Sequence, residues 1–197
     1  TLNYAADTAQ GTCARESLAN GFAVCCGMSI PVIVITVEPK NEDAFRNVVS
    51  HLRFAEELAA ESGVEIAVES AQPLPEIQRL FEQLAPATKL CMDLLNPLRF
   101  QTGDPREQLR AFGPQRISHY HLKDSARELF RPGQRGCLPL GQGDAGFFKS
   151  AALIRSLTDS AWLISENYYH LPPMNVRHPD FIALAKQDLE TARKAFA

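Results

Sequence analysis

The chain has 197 residues, 45% of them hydrophobic and 22% charged, with a formal net charge of −3, which is enough for one domain with a core of its own. No apolar run approaches the roughly 18–20 residues that cross a bilayer, and the amino terminus lacks the basic-then-apolar layout of a secretory signal, so a cytoplasmic protein without a membrane partner is expected. The slightly acidic balance speaks against nucleic acid as a partner, because neutralising phosphates needs a clustered basic face. Cys13, Cys25, Cys26, Cys91 and Cys137 are odd in number, include an adjacent pair and form no C-x-x-C. Neither a disulfide framework nor a thiolate zinc site follows, and buried or inert thiols are expected.

Short apolar runs alternate with longer segments of helical period. The first helical candidate covers residues 5–26, where Leu18, Phe22, Cys25 and Cys26 can share one face, and Gly27 is the expected residue after its end. Residues 31–37 (PVIVITV) are an uninterrupted, largely β-branched run, the pattern of a strand buried on both faces. Asn41-Glu-Asp opens a helix to residue 62, with Phe45, Val48, Val49, Leu52, Ala55, Leu58 and Ala59 as its apolar stripe and Gly63 beyond its end. The unit then repeats: strand 64–69, helix 75–84, strand 89–93, a short helix 106–112 stopped by Gly113-Pro114, and strand 116–122. After a long loop come helix 145–157, strand 162–166 and a closing helix 179–196. Five strands alternating with helices predict a parallel α/β architecture, and nothing resembling a linker divides residues 1–197.

Four of these strands end in residues that a buried strand would not choose for stability: Glu69, Asp93, His121 and Glu166. In a parallel sheet all four fall at the C-terminal edge, where active sites of such folds are built. A single acidic residue there is more often a helix cap or a solvated loop residue. Three carboxylates and an imidazole in register repel one another unless compensated, and a divalent cation compensates them. Three carboxylates with one imidazole favour Mn²⁺ or Mg²⁺, with Co²⁺ or Zn²⁺ as alternatives.

His119 and His121 point to the same side of their strand. His121, nearer the edge, is the expected ligand, and His119, one layer deeper, is either a substrate-side group or a hydrogen-bonded core histidine. Lys123 can reach an anionic group and Asp124 can cap or orient, although both are equally compatible with loop surface. Asn96, three residues beyond Asp93, is within reach of substrate at the same mouth or is turn chemistry before Pro97. Residues 124–144 carry Arg127, Arg131 and Arg135 and then Leu-Gly-Gln-Gly-Asp144. An arginine such as Arg127 can bind a substrate hydroxyl or phosphate, while a basic solvated loop is the commoner outcome. No G-x-G-x-x-G, phosphate-binding loop or G-x-S-x-G occurs, which disfavours nucleotide cofactors and serine hydrolase chemistry. His51, His170 and His178 are expected at the surface or in structural roles.

Glu69 after Ile-Ala-Val, Asp93-x-x-Asn96, His119-Tyr-His-Leu-Lys-Asp124, Leu-Gly-Gln-Gly-Asp144 and strand-terminal Glu166 together resemble the xylose isomerase-like (β/α)8 TIM barrels, from about residue 31 to 166 and beyond. This superfamily contains sugar phosphate isomerases and epimerases, ketose 3-epimerases, dehydratases and endonuclease IV. The resemblance implies one metal held by Glu69, Asp93, His121 and Glu166, with Glu69 and Glu166 exchanging a proton with substrate. The ketose epimerases usually have D-x-x-H where this chain has Asp93-x-x-Asn96, and endonuclease IV uses that histidine in a three-zinc site. The implied activity is a divalent-metal-dependent isomerase or epimerase acting on a sugar or polyol ketone through an enediolate. Dehydration of the inosose or dehydroshikimate type is the alternative on the same ligands, ahead of phosphodiester cleavage and of a non-catalytic fragment; a homodimer is compatible with each. By that resemblance only the last five βα units are present. About three strands, roughly 80 residues, are then expected before Thr1, since such barrels run to about 250 residues.

Overall fold

The computed structural model describes residues 2–131, 133–158, 161–177 and 180–197. Five strands follow one another in the hydrogen-bonded order β1-β2-β3-β4-β5: β1 (Val32–Thr36), β2 (Glu65–Glu69), β3 (Lys89–Asp93), β4 (Ile117–Leu122) and β5 (Leu163–Ser165). The β1–β2, β2–β3 and β4–β5 pairings are parallel, as alternation of strand and helix requires. The chain divides into two compact units, residues 1–91 and 92–197. Among the described residues no helix is long and apolar enough to cross a membrane.

In the first unit, α1 (Ala9–Gly27) and α2 (Glu42–Ser62) pack together, followed by α3 (Leu74–Phe81). The α2 helix starts where expected, because Asn41 accepts the Ala44 N–H at 2.8 Å and Glu42 and Asp43 complement the helix dipole. Its stripe of Phe45, Val48, Val49, Leu52 and Ala55 is buried, and it ends on Gly63 at φ 71°. His51 joins that stripe, fully buried with Nε2 2.8 Å from the Tyr4 carbonyl oxygen, so its role is structural and not at the surface. Gly27 remains within α1; the turn beyond it is carried by Ser29 at φ 55°, and α1 begins at Ala9, later than the apolar spacing suggested. The β1 run is less buried than its sequence predicts: Val34 is 41% exposed, since β1 stands at the end of the strand order. Cys25, Cys91 and Cys137 are buried free thiols, whereas Cys13 and Cys26 are exposed.

The second unit carries α4 (Asn96–Arg99), α5 (Pro105–Phe112), α6 (Phe147–Leu157), α7 (Met174–Arg177) and α8 (Phe181–Phe196). Asp104 before Pro105 caps α5, and Asp180 caps α8 by accepting the Ala183 N–H at 2.9 Å. The helices α4 and α7 are too short to show a period in the sequence. Residue 179, expected to open the closing helix, and His178 lie outside the described residues. Leu95, Cys137, Ala145, Met174 and Leu184 form one buried cluster. At β5, Ile164 is 42% exposed, so this strand also departs from burial on both faces.

The loop after β4 is solvated where its arginines lie, with Arg127, Arg131 and Arg135 exposed, but its base is buried. Asp124 is fully buried, and its carboxylate accepts the N–H groups of Ser125, Gly141, Gly143 and Ala145 at 2.9, 2.9, 3.0 and 3.1 Å. Two backbone bonds, Leu138 N to Asp124 O and Asp144 N to Ser125 O, close the base of the loop. Gly-Gln-Gly is therefore explained by packing: a Cβ on Gly143 would meet the Asp124 carboxylate and lie 2.5 Å from the Ser125 carbonyl oxygen. Gly143→Ala is expected to lower stability by about 2 kcal/mol in urea unfolding. Gly27→Ala, helical and with nothing within 4 Å of an added Cβ, is the control and is expected to be neutral or stabilising. Equal effects of the two changes would refute this account of the loop.

Candidate metal centre

The site in the second unit is assembled by the ends of three strands. Asp93 closes β3, and its Oδ1 accepts the Leu95 and Asn96 N–H groups at 2.8 and 2.7 Å, which aims Oδ2 away from the turn. The β4 strand supplies His121 and, two residues on, Lys123, on the same side of the chain. Glu166 follows β5 and stays in register, its N–H donating to Leu122 O at 3.1 Å. Leu94 N–H likewise donates to His121 O at 3.1 Å.

The side chains converge. Lys123 Nζ stands 2.7 Å from Asp93 Oδ2 and 2.8 Å from Glu166 Oε2, and His121 Nδ1 is 2.6 Å from that same Glu166 oxygen. Lys123 is 1% exposed and its Nζ lies 5.4 Å from the centroid of the Tyr168 ring. Burial pushes the Glu166 carboxyl up, but hydrogen bonds from His121 and Lys123 outweigh it and bring it down to about 2. Burial would also lower the Lys123 ammonium, yet Asp93 and Glu166 hold it above the ordinary lysine range. Glu166 and Lys123 thus favour their charged forms in each other's presence.

The donor set fits a divalent cation. Asp93, His121 and Glu166 each offer one ligand atom, and these atoms lie within 4.8 Å of one another. Asp93 Oδ2 and Glu166 Oε2 are buried oxygens whose partners are the Lys123 ammonium and, for Glu166, His121, and each carboxylate oxygen keeps a further lone pair for a Lewis acid.

Glu69 ends β2 in the first unit, half-buried, with Thr36 Oγ1 donating to its Oε2 at 3.4 Å. His119 is buried, its Nδ1 3.0 Å from Ser118 Oγ and its ring centroid 5.1 Å from that of His121. Asn96 opens α4 and uses its N–H on Asp93, so it is turn chemistry at least in its backbone. Arg127 is exposed in a 3-10 turn, its N–H donating to Asp144 Oδ2 at 2.9 Å. Two polar residues that sequence reasoning passed over, Asn167 and Asp188, are buried behind Glu166. A cavity of about 630 Å³ between α1 and β1, carrying Cys13 and Ser17, contains none of the candidate ligands.

Five parallel strands alternating with helices, with polar side chains gathered at their ends, form part of a (β/α)8 barrel. The chain belongs to the xylose isomerase-like TIM barrel family, whose sequence model matches residues 14–194. It is 27% identical over 201 residues to a 2-epi-5-epi-valiolone 7-phosphate 2-epimerase of Actinoplanes sp., covering 98% of this chain and 69% of that one. It is similar in fold to the D-allulose 3-epimerase of a Methylomonas species, with a TM-score of 0.75, 15% identity, and coverage of 99% of this chain and 74% of the other. The IOLI protein, solved with a binding zinc atom, is similar at a TM-score of 0.70 and 15% identity over 92% of this chain and 70% of that one.

Lys123→Met is expected to destabilise the protein by about 3–5 kcal/mol in urea unfolding, because it leaves buried carboxylates without their counter-charge. Acid acts on the same contacts. A carboxylate held below its ordinary 4.5 stabilises the fold above that pH and loses the contribution as pH falls toward about 2. In chelator-treated protein, thermal unfolding of wild type should exceed that of Glu166→Gln at pH 6 and converge with it near pH 2; a pH-independent gap would refute the assignment.

Proposed function

We propose that this chain is a divalent-metal-dependent isomerase or epimerase acting on a sugar or polyol ketone by proton transfer next to a carbonyl. The observation that carries the reading is the convergence of Asp93, His121 and Glu166 ligand atoms within 4.8 Å at the ends of their strands. Epimerases among the similar proteins support it. Glu69 is proposed as the fourth ligand, since β2 runs parallel to β3 as its neighbour and its last residue leaves the sheet at the same edge. A bound ion, Mn²⁺ or Mg²⁺ by its hard oxygen ligands with Zn²⁺ or Co²⁺ as alternatives, supplies Lewis acidity toward a carbonyl and its neighbouring hydroxyl.

The chain's own groups then divide the work. The Glu166 carboxylate, its ionised form favoured by His121 and Lys123, takes the proton from the carbon beside the carbonyl, and Glu69 is proposed to return one from the other side. His121 holds its place against Glu166 through Nδ1, and Lys123 keeps Asp93 and Glu166 from repelling each other while offering an ammonium to an anionic oxygen of the substrate. Asn96, His119 and Arg127 are proposed as substrate contacts around this centre.

Elemental analysis of protein purified without chelator should find one divalent ion per chain, reduced about tenfold or more in occupancy in Asp93→Ala and His121→Ala. Equal metal in all three would remove the centre. Glu166→Gln should bring incorporation of solvent deuterium into a ketose or cyclitol ketone down by about a thousandfold or more; near-wild-type exchange would sink the proton-transfer assignment. Growth of an enone absorbance in place of an isomeric ketone would assign the same site to dehydration.

A further inference from the structure

Glu166 is bracketed by two residues tied to one buried carboxylate. Asn167, directly after it, is 7% exposed and uses both ends of its amide: Oδ1 accepts the Asp124 N–H at 3.2 Å, while Nδ2 donates to Asp188 Oδ2 at 2.6 Å and to Leu138 O at 3.1 Å. Ser165, directly before it, meets the Tyr169 hydroxyl at 2.7 Å, and that hydroxyl donates to the same Asp188 oxygen at 2.8 Å. Along extended chain, side chains alternate in direction, so anchoring residues 165 and 167 on the α8 side fixes residue 166 on the opposite side. Asp124 is also the residue after Lys123. A single amide therefore joins the backbone beyond Lys123 to the backbone beyond Glu166, whose charged ends meet at 2.8 Å.

Asp188 is an expensive way to fill its place. It is fully buried in the apolar stripe of α8 between Leu184 and Ala192, and burial pushes its carboxyl above the ordinary range. Its partners among the described residues are the Leu140 N–H at 2.8 Å, Asn167 and Tyr169, none of them a cation. An apolar residue would pack there at lower cost, so the carboxylate has another use.

We propose that Asp188, acting through Asn167 and Tyr169, is a positioning residue that sets where the Glu166 carboxylate stands relative to His121 and Lys123, an inference that rests on Glu166 belonging to the metal centre. The lever is the orientation of a hydrogen-bond pair, and it can be reversed. Asp188→Asn presents an amide donor to the Asn167 donor, and the centre loosens. The swap Asp188→Asn with Asn167→Asp restores one acceptor facing one donor at that contact: the new amide donates to the new carboxylate, which still accepts the Asp124 N–H, Tyr169 turns its proton to Ser165, and the one bond given up is that of Asn167 to Leu138 O.

The test is a Mn²⁺ titration of the full chain at a temperature where circular dichroism shows every variant folded. Asp188→Asn should weaken Mn²⁺ binding about tenfold, and the swap should recover to within about threefold of wild type. Leu184→Ala, on the same stripe, should lose stability without changing Mn²⁺ affinity, which separates positioning from mere support of α8. Wild-type affinity in folded Asp188→Asn, or a swap no better than the single change, overturns the proposal. The Lys123 ammonium resonance in nitrogen-resolved NMR reads the same geometry without metal: slow to exchange in wild type and in the swap, lost to exchange in Asp188→Asn. A wild type that takes up no Mn²⁺ removes the metal reading, and this resonance then decides the positioning one, with an unchanged signal in Asp188→Asn overturning it.

Discussion

Two carboxylates cannot be brought to the ends of buried strands unless something positive stands between them, and Lys123 is the part of the chain that does so. Its ammonium touches Asp93 and Glu166 at 2.7 and 2.8 Å while 1% of the residue meets solvent. At such separations in a poorly solvated setting, like charges repel by several kcal/mol, so an uncompensated pair would protonate or open the structure. The strand β4 solves this by periodicity alone. Residues 119, 121 and 123 lie on one side of the chain, so two imidazoles and then the counter-charge are delivered in order along one direction.

Around that charge balance the second unit spends its polar bonds on orientation. Asp93 is aimed by two N–H groups of the turn that follows it, and Glu166 by its neighbours on either side. The Asp124 carboxylate, one residue past Lys123, gathers four N–H groups from its own loop and so fixes the backbone at the end of β4. Lys123 and Glu166 each stand next to a residue whose side chain is tied into the surrounding backbone or to Asp188. Such anchoring sets the direction of a carboxylate as well as its charge, because a misplaced carboxylate loses its angle before it loses its charge.

Much of this was legible in the sequence, for identifiable reasons. A buried parallel strand is an unbroken β-branched run, so a polar residue at its end stands out, and Asp93, His121 and Glu166 announce themselves. Helix α2 was legible to the residue because its cap, stripe and terminal glycine agree. Exposure of Val34 and Ile164 was not, because residue pattern does not say how many neighbours a strand has. Lys123 was ambiguous, since a lysine after a strand is ordinarily solvated, and only its two partners drawn from remote positions bury it. Asp188 left a signal that apolar spacing alone discards: an acid four residues from Leu184 and four from Ala192, at the heart of a helix stripe. Asn167 left none beyond standing next to Glu166.

The knot at Asp124 also divides its loop by tolerance to change. Residues 124, 125, 137, 140 and 145 are buried and bonded, whereas Arg127, Glu128 and Arg131 are exposed at the tip. Sequence drift at the tip is mechanically insulated from the strand ends, since the base of the loop carries the load. Such a segment can change at its tip at little thermodynamic risk, with the structural burden falling on one aspartate and the glycines that surround its carboxylate.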